Sequence, residues 1–161
     1  MTTQHIVSEA PVSPADESFT HEPYSGLPLA DTRHVLTFTI PLAPSLNNAY
    51  PTNWRTGRRY LSKAGNDFKT EVGTVVRVYA YSADWEAGSG PLGLRLVMWF
   101  PNKRRTDLDG RIKLAQDAIA EGLGVDDSRF DQLHVYRAGI SPEPRCEVTV
   151  WAINKARGET L

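Results

Sequence analysis

The sequence predicts an α+β domain: a small mixed sheet of about four strands with two main helices. Three observations carry that prediction. Two short runs, 35–40 and 146–153, alternate apolar and β-branched residues as strands do, and two more, 92–100 and 133–138, read as strands. Two longer runs, from Ser62 to about Tyr81 and from Asp109 onward, repeat apolar residues at three- and four-residue steps, as helices with one buried face do. Glycine and proline clusters separate these runs, and none of them reaches eighteen consecutive apolar residues, which excludes a membrane span in the reading.

Taken in order, residues 1–32 hold five acids and no Lys or Arg, with many Ser, Thr and Pro and few aliphatics. Such a segment buries too little apolar surface to offset the entropy of ordering, so a disordered acidic tail is expected there. It has no basic start followed by an apolar core, so it does not read as a secretory signal. Residues 33–161 hold all 18 cations against 14 acids, a mildly basic balance of +4 beneath a net charge of -1. The folded domain is expected over 33–154, followed by a polar tail at 155–161. The first strand begins at His34 and is ended by Pro41 and Pro44. A polar loop, Ser45 to Arg59, follows and carries Asn47, Tyr50, Arg55, Arg58 and Arg59; guanidinium, amide and ring together suit phosphate and exposed bases. A surface loop that is merely basic fits the same composition.

Ser62 is placed to cap the first main helix, whose core stripe reads Phe68, Val72, Val75, Val76 and Tyr79. Asp84 to Pro91 is a loop. The second strand, Leu92 to Phe100, delivers the cations Lys103, Arg104 and Arg105 to the stretch around which the chain is organised. There Asp107 and Asp109 stand two residues apart, the second main helix carries Lys113 and Asp117, and an acidic pair, Asp126 and Asp127, follows it. At about 100° per residue, Asp109, Lys113 and Asp117 share one stripe, opposite Ile112, Ala115, Ala118 and Ile119. Each piece has a structural explanation: Thr106 to Asp109 is a capping box, and Asp127 with Ser128 starts a turn. Capping gives no reason for Lys103, Arg104 and Arg105, or for two adjacent acids after the helix. If the later segment folds back beside the helix start, Asp107, Asp109 and one of the pair can surround a divalent cation, since Mg²⁺ takes hard oxygen ligands.

Pro44-Ser45-x-Asn47-x-x-Tyr50, then Arg104-Arg105-x-Asp107-x-Asp109, Lys113, Asp117-Ala118 and Asp126-Asp127, in this order and spacing, resemble the RusA family of Holliday junction resolvases. The resemblance runs from about Leu36 to Ile153. It implies a RusA-like fold and a structure-selective endodeoxyribonuclease that resolves four-way DNA junctions by paired nicks during recombination and repair. It implies Asp107, Asp109 and Asp127 as metal-binding catalytic acids and Lys113 as a fourth catalytic residue. Mg²⁺ is the expected cofactor, with Mn²⁺ as an alternative, and a homodimer offers one site per cut strand. Lys103, Arg104 and Arg105 join Asn47, Tyr50, Arg55, Arg58 and Arg59 as DNA contacts. Asp117 and Asp126 stand behind the catalytic set, Asp117 as a partner for Lys113. The family usually has Asn after the second aspartate; here it is Gly110.

The single Cys146 excludes an intramolecular disulfide and a cysteine-cluster zinc site, and reads as a small buried thiol in a cytoplasmic protein. His5, His21, His34 and His134 show no metal-ligand spacing. An EF-hand starting at Asp107 would need Gly and Glu where Ile112 and Ala118 stand, which rejects that form of calcium site. Two other classes share the observations: a branched-DNA-binding module without catalysis, and a hydrolase of small phosphate esters.

Overall fold

The computed structural model describes residues 35–103 and 107–153. The expected tails at both ends, and His34, Arg104, Arg105 and Thr106, lie outside them. The described residues form a four-stranded mixed sheet in the order β1-β4-β2-β3, where β1 is Val35–Pro41, β2 Leu92–Phe100, β3 Phe130–Ile140 and β4 Arg145–Ala152. Strand β4 pairs antiparallel with β1 on one side and with β2 on the other, while β3 runs parallel to β2. The parallel pair requires a crossover, and the helix carrying Asp109 provides it. Among the described residues three α-helices accompany the sheet: α1 over Leu46–Ala49, α2 over Lys63–Ser82 and α3 over Asp109–Leu123.

The core lies between the sheet and the two long helices. Leu92, Leu94, Leu96, Met98 and Phe100 from β2, Leu36, Phe38 and Ile40 from β1 and Val148 and Val150 from β4 bury with Phe68, Val72 and Val76 of α2. Leu114, Ala115, Ala118 and Ile119 of α3 close it. Small residues let the helices approach: a Cβ on Gly122 would stand 2.7 Å from Cβ of Val76. Lys69 and Glu121 tie α2 to α3 at 2.8 Å. Cys146 is buried, as expected, and burial pushes its thiol up to about 12.

Several elements differ from expectation. The segment 45–59 is not a plain loop, because Leu46–Ala49 forms α1 and Thr52 bridges to Arg59. Pro41 ends β1 as expected, as its last residue; on an edge strand its missing N–H costs no ladder bond when it faces outward. Tyr79 is exposed, although its ring lies 5.9 Å from Phe38, so the buried stripe of α2 is Phe68, Val72 and Val76 with Val75 at its margin. Strand β3 is longer than 133–138, since an edge strand paired to a buried one needs no strict alternation of its own. Ser62 caps α2 as expected, accepting from Gly65 N at 3.1 Å, and its hydroxyl also donates to Asn48 O at 2.7 Å.

Candidate active site

Helix α3 starts at Asp109, and the residue before it, Leu108, makes no side-chain cap. Asp109 accepts from Gly110 N at 2.8 Å. The helix ends at Gly124, whose left-handed φ of 67° an L side chain rarely adopts. The chain then turns back as a 3-10 turn over Asp127–Arg129. Asp126 caps that turn, accepting from Ser128 N at 2.9 Å; hydrogen bonding from the Ser128 hydroxyl, and then from its N–H, holds the carboxyl below the usual carboxylate range. That bond gives Asp126 a capping role, and Asp127 is the member of the pair that reaches the helix.

The stripe expected on α3 is present, and Asp127 joins it. Lys113 Nζ lies 2.7 Å from Asp117 Oδ1 and 2.6 Å from Asp127 Oδ2. Gln116 Nε2 donates to Asp127 O at 3.3 Å, fixing the turn against the helix. Hydrogen bonds to Asp117 and then Asp127 raise the Lys113 ammonium well above its ordinary value, so it stays protonated. The bond from Lys113 in turn holds Asp127 below the usual carboxylate range. Lys113 is thus a fixed positive charge at the surface, one turn from Asp109. The partnership expected between Asp117 and Lys113 is an i,i+4 ion pair.

Asp107 and Asp109 are both exposed at the start of α3. Among the described residues no three of His, Cys, Asp and Glu form a group that could hold a metal ion, and Asp127 is engaged by Lys113. The donor chemistry of Asp107, Asp109 and Asp127 nevertheless fits a hard divalent cation, because all three offer carboxylate oxygen.

The expected DNA contacts fall into two groups. Lys103 is exposed just beyond β2. Asn47, Arg55, Arg58 and Arg59 are exposed on α1 and the turn after it, whereas Tyr50 is half-buried against the core. Gly110 sits beside α1: a Cβ there would meet Leu46 Cβ at 3.7 Å, ordinary contact, so the packing admits a side chain in place of glycine.

Two residues of structural consequence carried no sequence signal. Arg129, two residues after Asp127, donates to Ala87 O at 2.8 Å, to Gly88 O at 3.0 Å and to Gly90 O at 2.6 Å. It ties the turn bearing Asp127 to the loop between α2 and β2. Arg111, in the first turn of α3, donates to Ala43 O and lies 5.6 Å over the Phe100 ring. Burial, then the neighbouring Arg137, lowers its pKa. Both arginines bond backbone carbonyls remote in sequence, which leave no motif to read.

Exposed acids at the start of α3, with exposed cations just beyond β2 and on the turn after α1, are of the kind that enzymes acting on DNA phosphodiesters present. The family model for endodeoxyribonuclease RusA matches residues 41–151, and the chain belongs to that family. It is 28% identical over 116 residues to the crossover junction endodeoxyribonuclease RusA of Escherichia coli strain K12, covering 71% of this chain and 92% of that protein. The corresponding protein of Shigella sonnei strain Ss046 matches over the same shares. The rusA protein of Enterobacteria phage 82 is 27% identical over 122 residues, covering 74% of this chain and 94% of the relative. Among solved structures, IspF of Plasmodium falciparum in complex with CDP superposes with a TM-score of only 0.32 at 12% identity, covering 75% of this chain and 97% of IspF; a likeness that loose bears on neither fold nor function.

Proposed function

We propose that this protein is a metal-dependent endodeoxyribonuclease that resolves four-way DNA junctions by paired nicks. Membership of the RusA family supports the reaction. The observation that carries its placement is the ion-paired stripe, with Lys113 held between Asp117 and Asp127 one turn from Asp109. Asp107, Asp109 and Asp127 would hold Mg²⁺, or Mn²⁺ in its place. Held there, such an ion would supply a water of lowered pKa and would offset charge developing on the scissile phosphate.

The chain's own residues supply the rest. Lys113 remains a cation and stabilises charge on the phosphate or the leaving oxygen electrostatically. Asp117 keeps its ammonium directed along the stripe. The exposed cations Arg55, Arg58, Arg59 and Lys103, together with Arg104 and Arg105, position the DNA backbone through contacts that weaken with salt. A homodimer would set one site against each of the two strands cut. Strand β3, at the edge of the sheet with Leu133 and Ile140 exposed, supplies a surface for association between copies. No helix among the described residues is long and apolar enough to cross a membrane, and the reading places the protein in the cytoplasm, where its DNA is.

A nicking assay tests the reading. A labelled four-way junction and a matched linear duplex are each incubated with the protein in Mg²⁺ or in EDTA. Symmetric nicks in the junction alone, dependent on Mg²⁺, are expected. Binding without cutting in every divalent metal would instead identify a branched-DNA-binding module, and equal cutting of the duplex would remove the junction selectivity.

A further inference from the structure

Trp54 takes part in neither the core nor the acidic stripe. It is 84% exposed, whereas Trp85 and Trp151 are buried and Trp99 donates its indole N–H to Glu147. A single exposed apolar residue needs no explanation on its own, but Trp54 is held out by an ordered turn. Asn53 N donates to Arg58 O and Gly57 N to Asn53 O, each at 2.8 Å. The Asn53 side chain accepts from Arg55 N at 2.9 Å and from Thr56 N at 3.3 Å. Gly57 adopts φ 66°, closing the turn below the bridge between Thr52 and Arg59.

The surroundings have a consistent character. Arg55 lies 4.9 Å over the Trp54 ring. Residues 41–66 contain Arg55, Arg58, Arg59 and Lys63 and no Asp or Glu. The turn is anchored at its base, where Ser62 N donates to Ala49 O, and α1 lies against the first turn of α3, where Leu46 neighbours Gly110. An outward indole backed by a guanidinium, on an acid-free basic turn joined to the end of the helix that carries Asp109, has the chemistry to stack on a nucleobase while nearby arginines meet its phosphates.

We propose that Trp54 is a base-stacking platform that takes an unstacked base of branched DNA. This rests on the reading of the chain as a DNA-cutting enzyme and deepens it by naming a residue for structure selectivity. Bases inside a duplex have both faces covered by their neighbours, so the platform gains nothing from linear duplex. At a branch point or in a single strand a face is open.

The test compares the full chain with Trp54→Ala and Trp54→Phe in EDTA, so that no cutting intervenes. Binding is measured to a four-way junction carrying 2-aminopurine at the branch, to a single-stranded oligonucleotide and to linear duplex. Trp54→Ala should weaken junction and single-strand binding about tenfold and leave duplex binding unchanged, with Trp54→Phe retaining most of the affinity. Single-stranded DNA should quench the wild-type tryptophan emission and not that of Trp54→Ala. Equal affinity of Trp54→Ala and wild type for all three DNAs, or an equal loss on all three, would overturn the proposal. Failure of the wild type to nick junctions in Mg²⁺ would count against the proposed reaction, while the single-strand quenching would still decide the role of Trp54.

Discussion

Lys113 and Asp127, fourteen residues apart in sequence, meet at 2.6 Å and join the first half of α3 to the turn that follows it. Asp117 holds the same ammonium at 2.7 Å. The three residues therefore act as a unit, and changing one alters the others.

Removing the cation tests its part in the reaction. Lys113→Met should lower junction cleavage by about 100-fold or more, the usual effect of losing one group that stabilises transition-state charge. Junction binding in EDTA should change far less. Asp117→Asn leaves Lys113 paired to Asp127 alone and should give a smaller loss, confined to the cleavage rate. Single-turnover kinetics beside a binding titration separate the two.

The pH dependence has a definite sign. Asp127 is depressed in the folded protein, so its contribution to stability is present above the ordinary carboxylate value of 3.8 and is lost as pH falls through its folded value. Lys113 is raised, so its contribution is full below the ordinary value of 10.5 and is lost as pH rises through its higher folded value. Between these limits the pair should add no slope to stability against pH. Thermal melts across that range, for wild type and Lys113→Met, check this: the difference in melting temperature should stay constant inside the window and shrink below it.

Arg129 should matter more than its place outside the acidic set suggests. Arg129→Ala leaves Ala87 O, Gly88 O and Gly90 O without their donor and frees the turn that bears Asp127. Charged hydrogen bonds of this kind are each worth about 1.5–3 kcal/mol in favourable settings, and exposure reduces that here. A lower melting temperature is expected together with slower cleavage, and Arg129→Lys should restore part of each. Unchanged cleavage in a destabilised Arg129→Ala would limit its role to the fold.

The cap of α2 offers a cleaner stability test. Ser62→Ala removes the acceptor for Gly65 N and the donor to Asn48 O, and should cost about 1 kcal/mol, near the middle of the range for lost caps. In a domain of this size that lowers the melting temperature by roughly 4 °C.

Glycine at position 110 is not imposed by packing. Gly110→Ala should stabilise the first turn of α3 by up to about 1 kcal/mol, because glycine is the weaker helix former and the added Cβ meets Leu46 at ordinary contact distance. Chemical denaturation of the two proteins measures it.

The main elements were legible because their periodicities differ: β1 and β4 alternate in sequence, while the stripe of Ala115, Ala118 and Ile119 on α3 repeats as a helix does. The stripe of Asp109, Lys113 and Asp117 followed from the same angle. Helix α1 was not legible, since four residues containing two asparagines give too short a pattern to count. Nor could spacing alone tell Asp126 from Asp127. The resemblance favoured Asp127; in the structure Asp126 accepts from Ser128 N and caps the turn, while Asp127 pairs with Lys113. Arg129 and Arg111 stayed hidden because their partners are carbonyl groups, which every residue has.

The most direct test of the account is junction cleavage by Asp109→Asn beside wild type, in Mg²⁺, with circular dichroism showing both folded. The account predicts paired nicks by wild type and none by the variant, with junction binding retained. Undiminished cleavage by a folded Asp109→Asn would contradict it, and would move the active site away from the start of α3.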